Sequence, residues 1–146
     1  MVKEIGVSLE FDSKNAVRVK FEDPQVSLSF ASRYVRLLRK YHQVKSGKKV
    51  GAGHGPITFA NYELTSKKFG EIALLVSPGV FYLVTGKAEN EDKFIDFLIA
   101  ALKTPPEEET ILKKYSFDIT FKNNKYFEFR DLKDYPTLEH YASLAD

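Results

Sequence analysis

The chain has no cysteine, no tryptophan and a single methionine. Without cysteine there is no disulfide framework, no thiolate metal site and no thiol nucleophile. No run of about 18 apolar residues occurs, so no membrane-spanning helix is expected. The opening "MVKEIGVSLEF" alternates as a strand does and lacks the apolar block of a signal peptide. These absences lead to the expectation of a soluble, cytoplasmic protein with no membrane partner. The scarcity of labile side chains beside 22 Lys and Arg and 20 Asp and Glu is a thermophile-like composition.

The most informative absence is local. Between Pro24 and Tyr62 there is no Asp or Glu, yet seven basic residues occur there: Arg33, Arg36, Arg39, Lys40, Lys45, Lys48 and Lys49. All lie within "RYVRLLRKYHQVKSGKK". The whole chain carries +2, so the remainder stands at −5 once these +7 are taken out. Much of the acid is late, in "PPEEET" and "DLKDYPTLEHYASLAD". Such polarity makes an electrostatic face that net charge conceals.

What is present argues for one folded domain over residues 1–146. An apolar fraction of 43% with 14% aromatics can build a real core and is far from a disordered composition. Ile5, Val7, Leu9 and Phe11 alternate with polar residues, and Val17, Val19 and Phe21 repeat the pattern after an Asp12–Asn15 turn, which predicts two strands. Asp23 then supplies a cap and Pro24 a first helical residue. Val26, Phe30, Tyr34, Leu37, Leu38 and Tyr41 recur at helical spacing. "VKSGKKVGAGHGP" holds four of the eight glycines and predicts a mobile connection. Strands are predicted in "ITFANYEL", "GEIALLV" and "VFYLVT", with Ser77-Pro78-Gly79 as the turn between the last two. "ENEDKFIDFLIAALK" predicts an amphipathic helix, ended by Thr104-Pro105-Pro106, and a short helix is expected over Glu107–Lys113. "YSFDITFKNNKYFEFR" predicts a hairpin. A three-residue loop over Asn123–Lys125 places Phe117, Ile119, Phe121, Phe127 and Phe129 on one face, whereas a two-residue loop sets Ile119 against Glu128. Pro136 opens a terminal helix. Irregular mixing with hairpin-type connections predicts an α+β fold: a single domain with a curved antiparallel sheet and helices packed on one face.

On a helical wheel the apolar residues of 26–41 fill one arc. Arg33, Arg36, Arg39 and Lys40 fill another that begins at its edge, with Ser29 and Ser32 between them. Guanidinium forks suit phosphate, and small hydroxyl residues let a phosphate backbone approach. Solubilising helix faces usually mix signs and gain ion pairs four residues apart, which this face lacks within the helix. Lys45, Lys48 and Lys49 extend the charge into the glycine-rich stretch, which is neither a P-loop nor a dinucleotide fingerprint. Tyr62 and Tyr82 are the candidate base-stacking rings, because tyrosine tolerates a sheet surface.

Chemistry-bearing motifs are sparse. His42, His54 and His140 have no zinc-ligand spacing. His54 is the one histidine in a glycine-rich setting where a general acid or base could sit. Glu107 to Glu109 read as helix-start acids rather than metal ligands. The expectation is a non-enzymatic protein with no cofactor and no metal.

One stretch, "EIALLVSPGVFYLVTGKAENEDKF", resembles a half-repeat of TATA-box-binding-protein-like domains through Ala73-Leu74-Leu75, Gly79, Val84, Thr85-Gly86 and Glu89. The resemblance covers residues 71–94 and implies a similar curved antiparallel sheet. The family's second repeat and wedge phenylalanines are absent, so TATA recognition is not implied. The function expected is binding of single-stranded DNA or RNA through the basic helix and glycine-rich loop. The rivals are an assembly module whose basic face docks an acidic partner, homo-oligomers included, and a hydrolase built on His54.

Overall fold

Alternation at the start of the chain becomes a hairpin: β1 (Lys3–Ser13) and β2 (Ala16–Phe21) pair antiparallel, with Leu9 opposite Val19 and Val7 opposite Phe21. The computed structural model describes residues 2–13, 15–41, 44–53, 59–66, 70–86, 91–104, 111–122 and 132–144. Helix α1 (Val26–Tyr41) follows, then β3 (Val44–Gly53), β4 (Phe59–Ser66), β5 (Gly70–Ser77) and β6 (Val80–Thr85). Helix α2 (Glu91–Lys103), a 3-10 turn (Ile111–Lys114), β7 (Tyr115–Lys122), a second 3-10 turn (Leu132–Asp134) and α3 (Leu138–Leu144) complete the order. No helix among the described residues is long and apolar enough to cross a membrane.

The strands form one open sheet in the order β3-β4-β5-β6-β2-β1-β7. The fold is α+β, as the sequence predicts, but the sheet is mixed rather than antiparallel throughout, because β7 runs parallel to β1. The cause is the crossover. After β6 the chain passes through α2 before it re-enters the sheet beyond β1, so β7 points the same way as β6 and β1. Phe117, Ile119 and Phe121 are half-buried and alternate with exposed Ser116, Asp118, Thr120 and Lys122. Residues 123–131, the loop and second arm of the predicted hairpin, lie outside the described residues. So do 107–110 of the predicted short helix, whose end is the 3-10 turn.

Two corrections concern local structure. Helix α1 begins at Val26, not Pro24, because Asp23 first makes a turn: its Oδ1 accepts from Gln25 N at 3.0 Å and its carbonyl from Val26 N at 3.2 Å. Of the segment predicted as a mobile glycine-rich connection, 44–53 is strand β3, paired antiparallel with β4 and irregular at Val44/Ser46 and Lys49/Gly51, and 54–56 lie outside the described residues. Glycine weakens a strand but accommodates bulges, and the ladder to β4 settles its conformation.

The core lies between α1, α2 and one face of the sheet. Ile5, Val7, Leu9, Val17, Val19, Leu74, Phe81 and Leu83 meet Val26, Phe30, Tyr34 and Leu38 of α1, all buried. Phe30, Tyr34, Phe81 and Phe97 pack ring to ring with centroids 5.3 to 6.0 Å apart. Buried Ser27 fastens the β5–β6 turn to α1: its Oγ donates to Ser77 O at 2.6 Å and accepts from Gly79 N at 3.0 Å. Gly79 has φ 83°, which after Pro78 meets the needs of a type II turn.

Candidate nucleic-acid interface

Helical phase decides which basic residues of α1 reach solvent. Arg33 does not: it is 6% exposed. Its Nη1 donates to Ala101 O at 2.7 Å and its Nη2 to Thr104 O at 2.9 Å. The last carbonyls of a helix have no partner within it, and Arg33 supplies one to the end of α2. Arg33 is therefore withdrawn from the expected phosphate-facing set. The same helix end organises the C-terminal segment. Lys103 Nζ donates to Leu132 O at 2.8 Å and Tyr135 O at 2.7 Å, while Thr104 Oγ1 accepts from Leu138 N at 3.2 Å.

Arg36, Arg39 and Lys40 are exposed, together with Ser32, while Ser29 is half-buried. Lys40 Nζ stands 5.2 Å from the Tyr41 ring centroid. Arg39 and Lys40 occupy the last turn, where the helix dipole favours positive charge, but Arg36 lies beyond that explanation. Past residues 42 and 43 the chain enters β3, the outermost strand on that side of the sheet. Lys48 is the register partner of Glu63 and Lys49 of Tyr62, and Lys45 falls at the first irregularity. In chain order Arg36, Arg39 and Lys40 at the end of α1 are followed by Lys45, Lys48 and Lys49 on the edge strand β3, where the register sets Lys48 with Glu63 of the face opposite α1 and Lys49 with Tyr62 of the helix-bearing face.

The two candidate stacking rings are separated. Tyr62 is cross-strand partner of buried Leu74 and packs against the core, on the helix-bearing face. Tyr82 is partner of Leu75, which is 47% exposed on the opposite face. A single platform using both rings is excluded by this register. Tyr82 has other company: Arg18 Cζ lies 5.3 Å from its ring centroid. Burial, and after it the neighbouring Asp12 carboxylate, push its hydroxyl above its ordinary value.

The sheet face around Tyr82, the bare face among the described residues, carries charge of both signs. Glu4, Glu10, Asp12, Glu63, Glu71 and Asp118 alternate outward from the core residues there, against Arg18, Lys20 and Lys122. Several of these charges already pair: Arg18 with Asp12 at 2.9 Å, and Lys20 with Glu10 at 3.3 Å. A shallow depression of about 300 Å³ lies on this face over Gly6, between Lys20, Glu22, Asp118 and Lys122. Glu22 Oε2 accepts from Gly6 N at 2.7 Å, continuing the ladder where β2 turns away.

Catalytic candidates gain nothing from the geometry. His42, His54 and Glu107 to Glu109 lie outside the described residues, and exposed His140 stands edge-on to the Tyr141 ring. Among the described residues no group of three or more His, Asp or Glu could hold a metal ion.

The motifs of the sequence do not point to the apolar strip on the bare face, formed by Ala73, Leu75, Val80, Tyr82 and Val84. Its signal is in the sequence all the same, because "GEIALLVS" and "VFYLVT" carry apolar residues at both parities, as strands covered on both faces do. No protein-family model matches the chain, no curated protein matches it and no solved structure matches it.

Proposed function

We propose that the chain is a soluble, cytoplasmic, non-enzymatic protein that binds single-stranded DNA or RNA through phosphates along the end of α1 and the β3 edge. The observation that carries this reading is the succession in chain order of Arg36, Arg39 and Lys40, exposed on α1, and Lys45, Lys48 and Lys49 on the next strand. Charge of one sign along an elongated path matches a polyanion better than a compact ligand. Because Tyr62 and Tyr82 stand on opposite faces, the contacts are to the backbone and binding is indifferent to base sequence.

Lysines on an edge strand also discourage edge-to-edge pairing, and that role alone would account for β3. It does not account for Arg36. The experiment is fluorescence anisotropy of labelled oligonucleotides with the wild-type chain and with Arg36→Glu/Lys40→Glu. Uniform weakening across sequences supports the reading. Unchanged affinity in the double variant overturns it.

A further inference from the structure

We propose that the depression over Gly6 is a binding site for a dipeptide-sized zwitterion, its ammonium seated between Glu22 and Asp118 and its carboxylate against Lys122. The inference is independent of the nucleic-acid reading, since the site lies on β1, β2 and β7, on the face opposite α1.

The hollow has a cause in the sequence. A strand puts a side chain on each face at every second position, and on this face β1 carries Gly6 and then Ser8. A mid-strand glycine weakens a sheet and marks a place where another group comes close to the backbone. Glu22 is that group on one side: its Oε2 accepts from Gly6 N at 2.7 Å, and a Cβ on Gly6 would stand 3.2 Å from the same oxygen. With no side chain at 6 and a small one at 8, the flanking residues of β2 and β7 leave about 300 Å³ between them, the lower end for small-molecule sites.

Register sorts the charges along the hollow. Asp118 of β7 is the partner of Gly6, and Glu22 N donates to Gly6 O at 2.9 Å on the β2 side, so two carboxylates flank the empty position. At the next level Ser8 has Thr120 on one side and Lys20 on the other. One level further, Lys122 is the partner of Glu10. Along β7 the order is acid, hydroxyl, ammonium. Lys20 is already engaged, its Nζ 3.3 Å from Glu10 Oε1, so binding of an anion falls to Lys122. Neither Asp118 nor Lys122 has a hydrogen bond or ion pair among the described residues. Thr120 Oγ1 reaches Val7 O at 3.5 Å, the long limit of a hydrogen bond, and keeps capacity for a ligand.

The ligand class follows from that order. A phosphate would face two carboxylates, and a simple amine would leave Lys122 unused. A molecule with one charge of each sign satisfies both ends with charge-assisted bonds. Successive levels on one face of a parallel strand are about 6.6 Å apart, and the lysine side chain leans back over part of the second level. The ammonium and carboxylate of the ligand are therefore about one level apart, which fits the termini of a dipeptide and exceeds the separation in a free α-amino acid. The peptide group then lies over Ser8 and beside the Thr120 hydroxyl. The hollow is open, so solvent screens both ion pairs, and a dissociation constant on the order of millimolar is expected.

The test is titration of the isotope-labelled full chain, without nucleic acid, with glycylglycine up to about 50 mM, well past a millimolar dissociation constant. The backbone amide signals of Gly6, Ser8 and Thr120 are followed by two-dimensional NMR, and saturable shifts are expected. Three probes should each bind at least about threefold more weakly: glycine, whose charges are too close, N-acetylglycine, which lacks the ammonium, and glycinamide, which lacks the carboxylate. Asp118→Asn and Lys122→Gln should each raise the glycylglycine dissociation constant about three- to fivefold, the scale of one exposed ion pair. Both positions are exposed, so the fold survives. Absence of saturable shifts in the wild type overturns the inference. Equal binding of glycylglycine and any of the three probes overturns it too, as does unchanged affinity in either variant. Oligonucleotide affinity per chain should be the same in both variants as in wild type, so failure here and failure of the phosphate reading are distinguishable.

Discussion

The guanidinium of Arg33, on α1, donates to the carbonyl oxygen of Thr104, just past the end of α2, at 2.9 Å, and to Ala101 O at 2.7 Å. A residue that belongs by sequence to a basic run belongs by structure to the joint between two helices. Arg33→Ala would leave these carbonyls without their donor in a buried site. The expected cost is about 2 to 4 kcal/mol in urea unfolding, in the range for losing buried charged hydrogen bonds. The same variant should leave the salt dependence of oligonucleotide binding unchanged. A flattened salt slope in folded Arg33→Ala would return this residue to the binding surface.

Tyr34 tests the core from the other direction. It is fully buried among Phe30, Phe81 and Phe97, and its hydroxyl has no hydrogen-bond partner among the described residues. Burial pushes its pKa well above the ordinary 10.0. Removing an unsatisfied buried hydroxyl recovers its desolvation penalty, so Tyr34→Phe should be neutral or stabilising by up to about 1 to 2 kcal/mol. Destabilisation by a similar amount in thermal unfolding would mean that the hydroxyl has a partner in solution.

A pH dependence follows from the contact between β7 and the start of α1. Tyr115 Oη donates to Asp23 Oδ2 at 2.7 Å. That bond, and after it the one from Gln25 N, holds the Asp23 carboxyl below its ordinary 3.8. A depressed carboxyl stabilises the fold above its unfolded pKa and gives this up as pH falls through the folded value, hence below about pH 4. The same bond raises the Tyr115 phenol above 10.0. A raised phenol contributes below its unfolded pKa and loses that contribution as pH climbs past it. Tyr115→Phe should therefore give a stability curve flatter than wild type at both extremes and parallel to it between them. Urea titrations across pH check this, and parallel curves at every pH would contradict it.

Much of the fold is legible in the sequence because period and turn chemistry are local. The alternation of Ile5 to Phe11, the helical spacing of Val26 to Tyr41 and the Pro78-Gly79 turn each specify an element without help from elsewhere. What is hidden depends on partners. Strand β3 carries Gly47, Gly51 and Gly53 and has no clean alternation, so only its ladder with β4 makes it a strand. The parallel entry of β7 leaves no mark, because an alternating strand reads the same in either direction. Arg33 lies seven residues after Val26 and three after Phe30, a phase that belongs to the apolar arc. Its charge suggests the surface and its phase the core, and the phase is the better guide.

The predicted terminal helix is present as α3, but its segment is not a free acidic arm. Tyr135 and Leu138 are buried, and Tyr135 stacks with Phe121 at 5.8 Å between centroids. Deleting residues 131–146 should therefore unfold or strongly destabilise the chain, seen as a lowered midpoint in thermal denaturation. A deletion variant as stable as wild type would show that the segment adds nothing to the core.

The central claim is that the α1–β3 path binds phosphates, and salt dependence of single-strand binding tests it most directly. With Arg33 internal, six basic residues remain on the path, and three or four of them contacting phosphate give a slope of log K against log salt of about −2 to −3. Arg36→Glu/Lys40→Glu should weaken binding equally for all base compositions and flatten that slope by about 1 to 1.5. Fluorescence anisotropy at several salt concentrations measures both. No binding by wild type at low salt, or an unchanged slope in the double variant, would contradict the claim.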